Sequence, residues 1–102
     1  MLYAVWATDR PGMLAERQRV REAHRARLRD PGDHPVLVLQ AGVTLDEATG
    51  AMNGTLLVVQ AESAQAVRAF VDGDPYVAAG VYGTIDIRPW RCGLGPLSEL
   101  SS

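Results

Sequence analysis

The stretch Thr55–Trp90, "TLLVVQAESAQAVRAFVDGDPYVAAGVYGTIDIRPW", carries a strand, a helix and a second strand in succession, and it places the rest of the chain. Thr55 to Ala61, "TLLVVQA", is a short apolar run of the kind a buried strand shows. The period then changes. In "ESAQAVRAFVDG", Ala66, Val67, Phe70 and Val71 fall at helical spacing, Ser63 suits the N-cap and Gly73 suits the position just past the end. Thr84 to Arg88 alternates apolar and polar residues, as a half-buried strand does. Between this helix and strand stands Asp74-Pro75-Tyr76. The aspartate fits an N-cap, with Pro75 at the first helical position and Gly80 closing a short turn. Its carboxylate is equally free for chemistry, and both roles are compatible: one oxygen can cap while the other accepts a hydrogen bond from an imidazole.

Towards the N-terminus, Leu2 to Ala7 is an apolar run rich in aromatic and β-branched residues and reads as a strand. "TDRPG" follows as a loop. Met13 to Arg29 contains no Gly or Pro and is full of good helix formers. "DPGDHP" ends it. Val36 to Ala41 reads as a further strand, and Thr44 to Asn53 as a polar loop with one glycine. The order β-α-β-β-α-β is the ferredoxin-like, split βαβ arrangement of the α+β class: a four-stranded antiparallel sheet with two helices on one face. Leu2–Ala7 and Leu56–Val59 are apolar on both faces, so the uncovered face also needs a partner. A second copy packed sheet to sheet would supply it, and a homodimer is expected.

The bulk numbers restrict the function. A chain of 102 residues is a single domain with a small core. With 47% hydrophobic and 22% charged residues, the composition is that of an ordinary globular protein. A net charge of −2 argues against nucleic acid as a partner, since binding it takes clustered positive charge. All ten basic residues are arginine. The single cysteine, Cys92, excludes an internal disulfide. "MLYAVWATDR" lacks the pattern of a signal peptide, and no apolar run approaches the ~20 residues that span a bilayer. A reduced, cytoplasmic domain without membrane contact is expected. "GPLSELSS" closes the chain as a loose tail, so the domain is expected at residues 1–92 and the tail at 93–102.

The first helix holds an inconsistency. On a 100° wheel centred on His24, Met13, Arg17, Val20 and Leu28 fall within about 40° and Arg21 about 60° away. Ala15, Gln18, Arg19, Glu22, Ala26 and Arg29 lie on the opposite face. An apolar stripe interrupted by an arginine and a histidine departs from a simple core helix, and such conflicts mark functional sites. The other reading is a satisfied core histidine above a solvated row of arginines. His34, the only other histidine, sits between turn signals with no set of ligands around it, so no metal is expected. "GDPYVAAG" lacks the preceding strand of a dinucleotide fingerprint, and no cofactor is expected.

"RVREAHRARL" in the first helix, "GTLLVVQAESAQAVRAFVDGDPYVAAGVYGTIDIRPW" in the second half and the start "MLYAVWATDRPG" together resemble the YCII-related, or YciI-like, family, over nearly the whole of Met1–Trp90. Arg-x-x-His and Asp-Pro-Tyr-x-x-Ala-Gly are the specific parts. The resemblance implies a ferredoxin-like fold that dimerises into an α+β barrel, with a His-Asp pair that maps to His24 and Asp74. A few members are implicated in dehydrochlorination of hydroxylated aromatic compounds. The segment Val43-Thr44-Leu45 departs from relatives that place a proline and a longer glycine-rich segment there, in a hairpin loop expected to wall the pocket. On this geometry His24 is the general acid/base, oriented by Asp74, while Arg17, Arg21 and Tyr76 are candidates to hold a small-molecule substrate. No serine or cysteine pairs with the histidine, which excludes a covalent nucleophile from the reading. The leading expectation is a cofactor-independent lyase, isomerase or dehydrohalogenase. A non-catalytic ligand-binding dimer and a cofactor-free monooxygenase are the alternatives.

Overall fold

The computed structural model describes residues 1–100. Its elements are β1 (Leu2–Asp9), α1 (Leu14–Arg29), β2 (Val36–Leu45), β3 (Met52–Ala61), α2 (Ala64–Asp72), a one-turn α3 (Pro75–Ala78) and β4 (Tyr82–Trp90), followed by a 3-10 turn at Pro96–Leu100. The strands form one sheet in the order β2-β3-β1-β4, with every neighbouring pair antiparallel. This is the expected ferredoxin-like α+β arrangement. Ser101 and Ser102, the end of the expected tail, lie outside the described residues.

The two-residue period of the strands sorts the side chains. Tyr3, Val5 and Ala7 sit opposite Val59, Leu57 and Thr55, and this set is buried. Tyr3, Val5, Leu57, Val59 and Ala61 pack with Val67, Phe70 and Val71 of α2 into the core. The alternate set is covered only in part: Leu2 and Val58 are buried, but Trp6, opposite Leu56, is 55% exposed, and Leu56 is 41% exposed. Trp90, opposite Leu2, shares that face and is 40% exposed.

The central hairpin is longer than its composition suggests. Thr44, Leu45, Met52 and Asn53, read as loop, belong to the strands. Asp46 tightens the connection: its Oδ1 accepts from the backbone N–H groups of Ala48 and Thr49, and Gly50 takes φ +75°. The polar pair Thr44 and Asn53 then closes across the hairpin, Thr44 Oγ1 donating to Asn53 Oδ1 at 2.7 Å. Gly54 permits this approach, because a Cβ there would collide with Thr44 Oγ1 and lie 2.6 Å from the Ala7 carbonyl.

A bulge in β2 positions one wall of the site. Val38 pairs with Val59, but the next pair is Gln40 with Val58, so Leu39 is an extra residue. The inserted residue inverts the alternation. Ala41 and Val43, opposite Leu57 and Thr55, now share the helix side of the sheet with Val38. Without the bulge, Gln40 and Gly42 would occupy that side.

Candidate active site

Only two residues of α1 are buried, and both are polar: Arg17 and His24. The sheet-facing stripe of this helix is therefore held by hydrogen bonds and ring contacts as much as by apolar burial. The segment that meets it follows α2. The Gly73 N–H bonds back to the Phe70 carbonyl and the Asp74 N–H to that of Val71, so the chain enters the next turn with Asp74 fixed. Asp74 is the N-cap of α3, extended at φ −68° and ψ 137°, and its Oδ1 accepts from the Tyr76 N–H at 2.8 Å. Its Oδ2 lies 2.7 Å from His24 Nδ1, with both side chains almost wholly buried. Asp74 thus both caps and pairs. A carboxylate accepts only, so Nδ1 carries the proton and donates it, and in the neutral form of the ring the lone pair is on Nε2.

Tyr76 explains the rest of the stripe. Its ring stacks on His24 at 4.1 Å and 23°, and the Arg17 guanidinium carbon lies 4.4 Å from the same ring centre. Arg17 and His24 are seven residues apart, two turns or roughly 10.5 Å along the axis, so the Tyr76 ring fills the gap between them. Arg17 is anchored behind it. Its Nε and Nη2 donate to the two Asp9 carboxylate oxygens at 2.7 and 2.9 Å, and Nη2 also donates to Thr55 Oγ1 at 2.8 Å. Tyr82 donates its hydroxyl proton to the same Thr55 oxygen at 2.9 Å.

This packing sets the charge states. Burial alone would depress the Arg17 guanidinium, but Asp9 outweighs it and holds the group above its ordinary value. Burial pushes the Tyr76 phenol up. Burial, and then the negative charge of Asp74, raises Tyr82 far above the usual phenol range.

In front of His24 lies a cavity of about 360 Å³, lined by the second half of α1 (Arg21, His24, Arg25, Leu28, Arg29), by Ala41, Gly42 and Val43 of β2, and by Tyr76. That volume lies at the lower end of small-molecule pockets, roughly 300–1,000 Å³. Of the residues singled out in the sequence, His24, Arg21 and Tyr76 line this cavity and Asp74 stands directly behind the imidazole. Arg17 is elsewhere: it is fully buried, on the far side of Tyr76, and engaged by Asp9 and Thr55. Sequence reasoning missed Asp9, Thr55 and Tyr82, whose only signal was being polar at positions where β1, β3 and β4 turn inward. It also put Arg29 on the far face of the helix, whereas its long side chain reaches the cavity from the last turn. No group of three His, Cys, Asp or Glu side chains among the described residues is placed to hold a metal ion.

A second cluster uses similar parts. The Arg27 guanidinium lies 4.3 Å over the Phe70 ring, and His34 meets the same ring edge-on at 5.6 Å. Here the histidine meets no carboxylate among the described residues; Arg27 Nη2 lies 3.1 Å from His34 Nε2, which therefore accepts.

A ferredoxin-like sheet with a carboxylate-bound histidine at the wall of a small cavity defines the class. The model of the YCII-related domain matches residues 1–91, and the chain belongs to that family. It is similar to protein YciI of Escherichia coli O6:H1 (strain CFT073), 36% identical over 95 residues that cover 89% of this chain and 97% of that one. An uncharacterized protein of Haemophilus influenzae is 32% identical over the same shares. Among solved structures, the 5-chloro-2-hydroxyhydroquinone dehydrochlorinase of Burkholderia phenoliruptrix AC1100, in complex with 2,5-dihydroxybenzoquinone, superimposes with a TM-score of 0.79 at 33% identity, covering 91% of this chain and 96% of that one.

Proposed function

We propose that the protein is a cofactor-independent lyase that uses His24 and Asp74 for general acid/base chemistry on a small hydroxylated, enolisable ring, with dehydrohalogenation as the reaction type. The observation that carries this reading is the 2.7 Å bond from His24 Nδ1 to Asp74 at the wall of a cavity. With Nδ1 committed, Nε2 takes a hydroxyl proton from the keto tautomer of the ring, in which the halogen-bearing carbon is saturated. The O–H electron pair becomes a C=O, and the ring double bond it displaces shifts to expel halide. Proton and halide depart together as the acid, and the carbon skeleton exchanges no electrons with an outside reagent. Asp74 holds the ring in the required tautomer. Tyr76, pressed on the imidazole by Arg17, keeps the ring from turning. Arg21, at the cavity wall, is placed to hold a phenolate or carboxylate of the substrate. The likeness to the dehydrochlorinase supports the same choice of substrate class.

The test is release of chloride from a panel of chlorinated hydroquinones by the purified chain, with His24→Ala alongside. Removing a general acid/base lowers the rate by about 10²–10⁴. Equal release by both proteins, or none from any member of the panel, rejects the reaction.

The same reading pairs two copies through the sheet face away from the helices, where the large apolar side chains of Trp6, Leu56 and Trp90 are exposed. Light scattering at micromolar concentration should then give twice the 11.0 kDa chain mass. A monomer, or a dimer that survives Trp6→Glu unchanged, rejects this face.

A further inference from the structure

The walls of the cavity carry charge of one sign. Arg21, Arg25 and Arg29 line it together with His24, and no carboxylate does. They follow one another at i, i+4 and i+8 along α1, about 6 Å apart along the axis at each step. Like charges at that spacing destabilise a helix. Elsewhere on the helix Arg17 is neutralised by Asp9 and Arg19 by Glu16, while Arg27 lies over the Phe70 ring. Arg25 has only a loose contact with Glu22, at 3.8 Å and with both groups well exposed. Arg21 and Arg29 meet no carboxylate among the described residues. The remaining walls are the Leu28, Ala41 and Val43 side chains and the Tyr76 ring.

We infer that the cavity selects a small aromatic dianion, with one acidic oxygen held by Arg21 beside His24 and a second held from the far end by Arg29. The apolar walls accept the ring, and Arg21 and Arg29, two such steps or roughly 12 Å apart along the axis, leave room for a six-membered ring with acidic oxygens at opposite carbons and a charge-assisted hydrogen bond of about 2.8 Å at each end. A monoanion would leave one guanidinium unmatched. A neutral ring would leave the row of positive charge as it stands. This inference rests on the preceding reading only in taking the cavity as the working site.

The experiment is calorimetric titration of the full chain with terephthalate, benzoate and neutral terephthalamide at low ionic strength. Terephthalate should bind about tenfold or more tightly than benzoate, the worth of one additional charge-assisted pair, and terephthalamide should bind more weakly than either. Arg21→Gln and Arg29→Gln should each bring terephthalate down to the benzoate level, whereas Arg19→Gln, on the opposite face, should keep the difference. Should a glutamine variant fail to fold, Arg29→Lys and a salt series on the unaltered chain provide the second measurement. Salt should weaken terephthalate more than benzoate. Equal affinities for the two anions, no binding of either, or an Arg19→Gln loss as large as that of Arg21→Gln overturns the assignment. The readout is binding, so a failure of the chloride-release test leaves this result standing, and the reverse also holds.

Discussion

The chain builds two clusters from a histidine, an aromatic ring and an arginine, and they differ in what completes each one. Around Tyr76, Arg17 meets a carboxylate and His24 meets another, so each basic side chain has an acidic partner. Around Phe70, Arg27 and His34 meet each other and the ring, and no carboxylate among the described residues. The first arrangement fixes a histidine with its Nε2 directed away from the protein's own partners and places it at a cavity. The second uses up the same nitrogen as an acceptor and lines no wall of that cavity. The identity of the ring's neighbours, rather than the presence of a histidine, separates a site from a structural contact.

The largest expected effect breaks the first cluster at its anchor. Arg17→Met fills comparable volume but leaves Asp9 without its partner, and losing one member of a buried ion pair costs about 3–5 kcal/mol. Arg27→Met removes a half-buried guanidinium, one hydrogen bond and a ring contact, together roughly 1–2 kcal/mol. Urea denaturation of the two variants beside wild type gives the comparison. For a domain of this size each kcal/mol corresponds to roughly 4–8 °C in melting temperature. Equal losses would show that the two arginines do the same structural work and would remove the contrast.

A smaller change in stability with a larger consequence for chemistry comes from Asp74. Asp74→Asn keeps an oxygen to cap α3, and Asn caps about as well as Asp, so stability should stay within about 0.5 kcal/mol of wild type. Asp74→Ala loses the cap and roughly 1 kcal/mol. In Asp74→Asn the amide can present its N–H₂ to His24 Nδ1, which then accepts, and the proton moves to Nε2. Nitrogen-15 spectra should show that exchange of tautomer at His24 and none at His34. Chloride release, where present, should fall by about 10²–10⁴ in both Asp74 variants. A His24 spectrum unchanged by Asp74→Asn would reduce this aspartate to its capping role.

How much of this was legible follows from the range of each interaction. The order of elements was readable because the hydrophobic period switches from two to near four within Thr55–Trp90, a local signal. His24 and Asp74 stood out because each breaks a local rule: a polar residue on a core-facing stripe, and an acid locked between glycine and proline. The hairpin ends were misplaced because Asp46 builds its turn through side-chain bonds that let polar Thr44 and Asn53 pair as strand residues. The bulge at Leu39 has no signal in β2 itself, since it exists only in register with β3. The role given to Arg17 rested on its helical face alone. Its partners Asp9 and Thr55 lie 8 and 38 positions away, and only the fold brings them to it.

A change that leaves the imidazole and its aspartate in place concerns Tyr82, and it sharpens the comparison, because Phe70 cannot ionise. Tyr82→Phe deletes the hydroxyl that donates to Thr55, a loss of about 1 kcal/mol. The Tyr82 phenol is held well above its ordinary value by burial first and by the Asp74 charge second. Its folded value exceeds the unfolded value of about 10, so the folded state keeps its proton longer than the unfolded chain does. The corresponding stability is fully present below about pH 10 and is lost as the pH climbs from there towards the folded value. The difference between wild type and Tyr82→Phe should therefore be widest near neutrality and close as the pH passes about 10. Urea midpoints for both proteins across that range give the answer, with phenolate absorbance as the direct check. A gap that stays constant through the alkaline range would mean that Tyr82 ionises as readily in the folded protein as in the unfolded chain, and that the Tyr76 cluster is more open to water than its packing indicates.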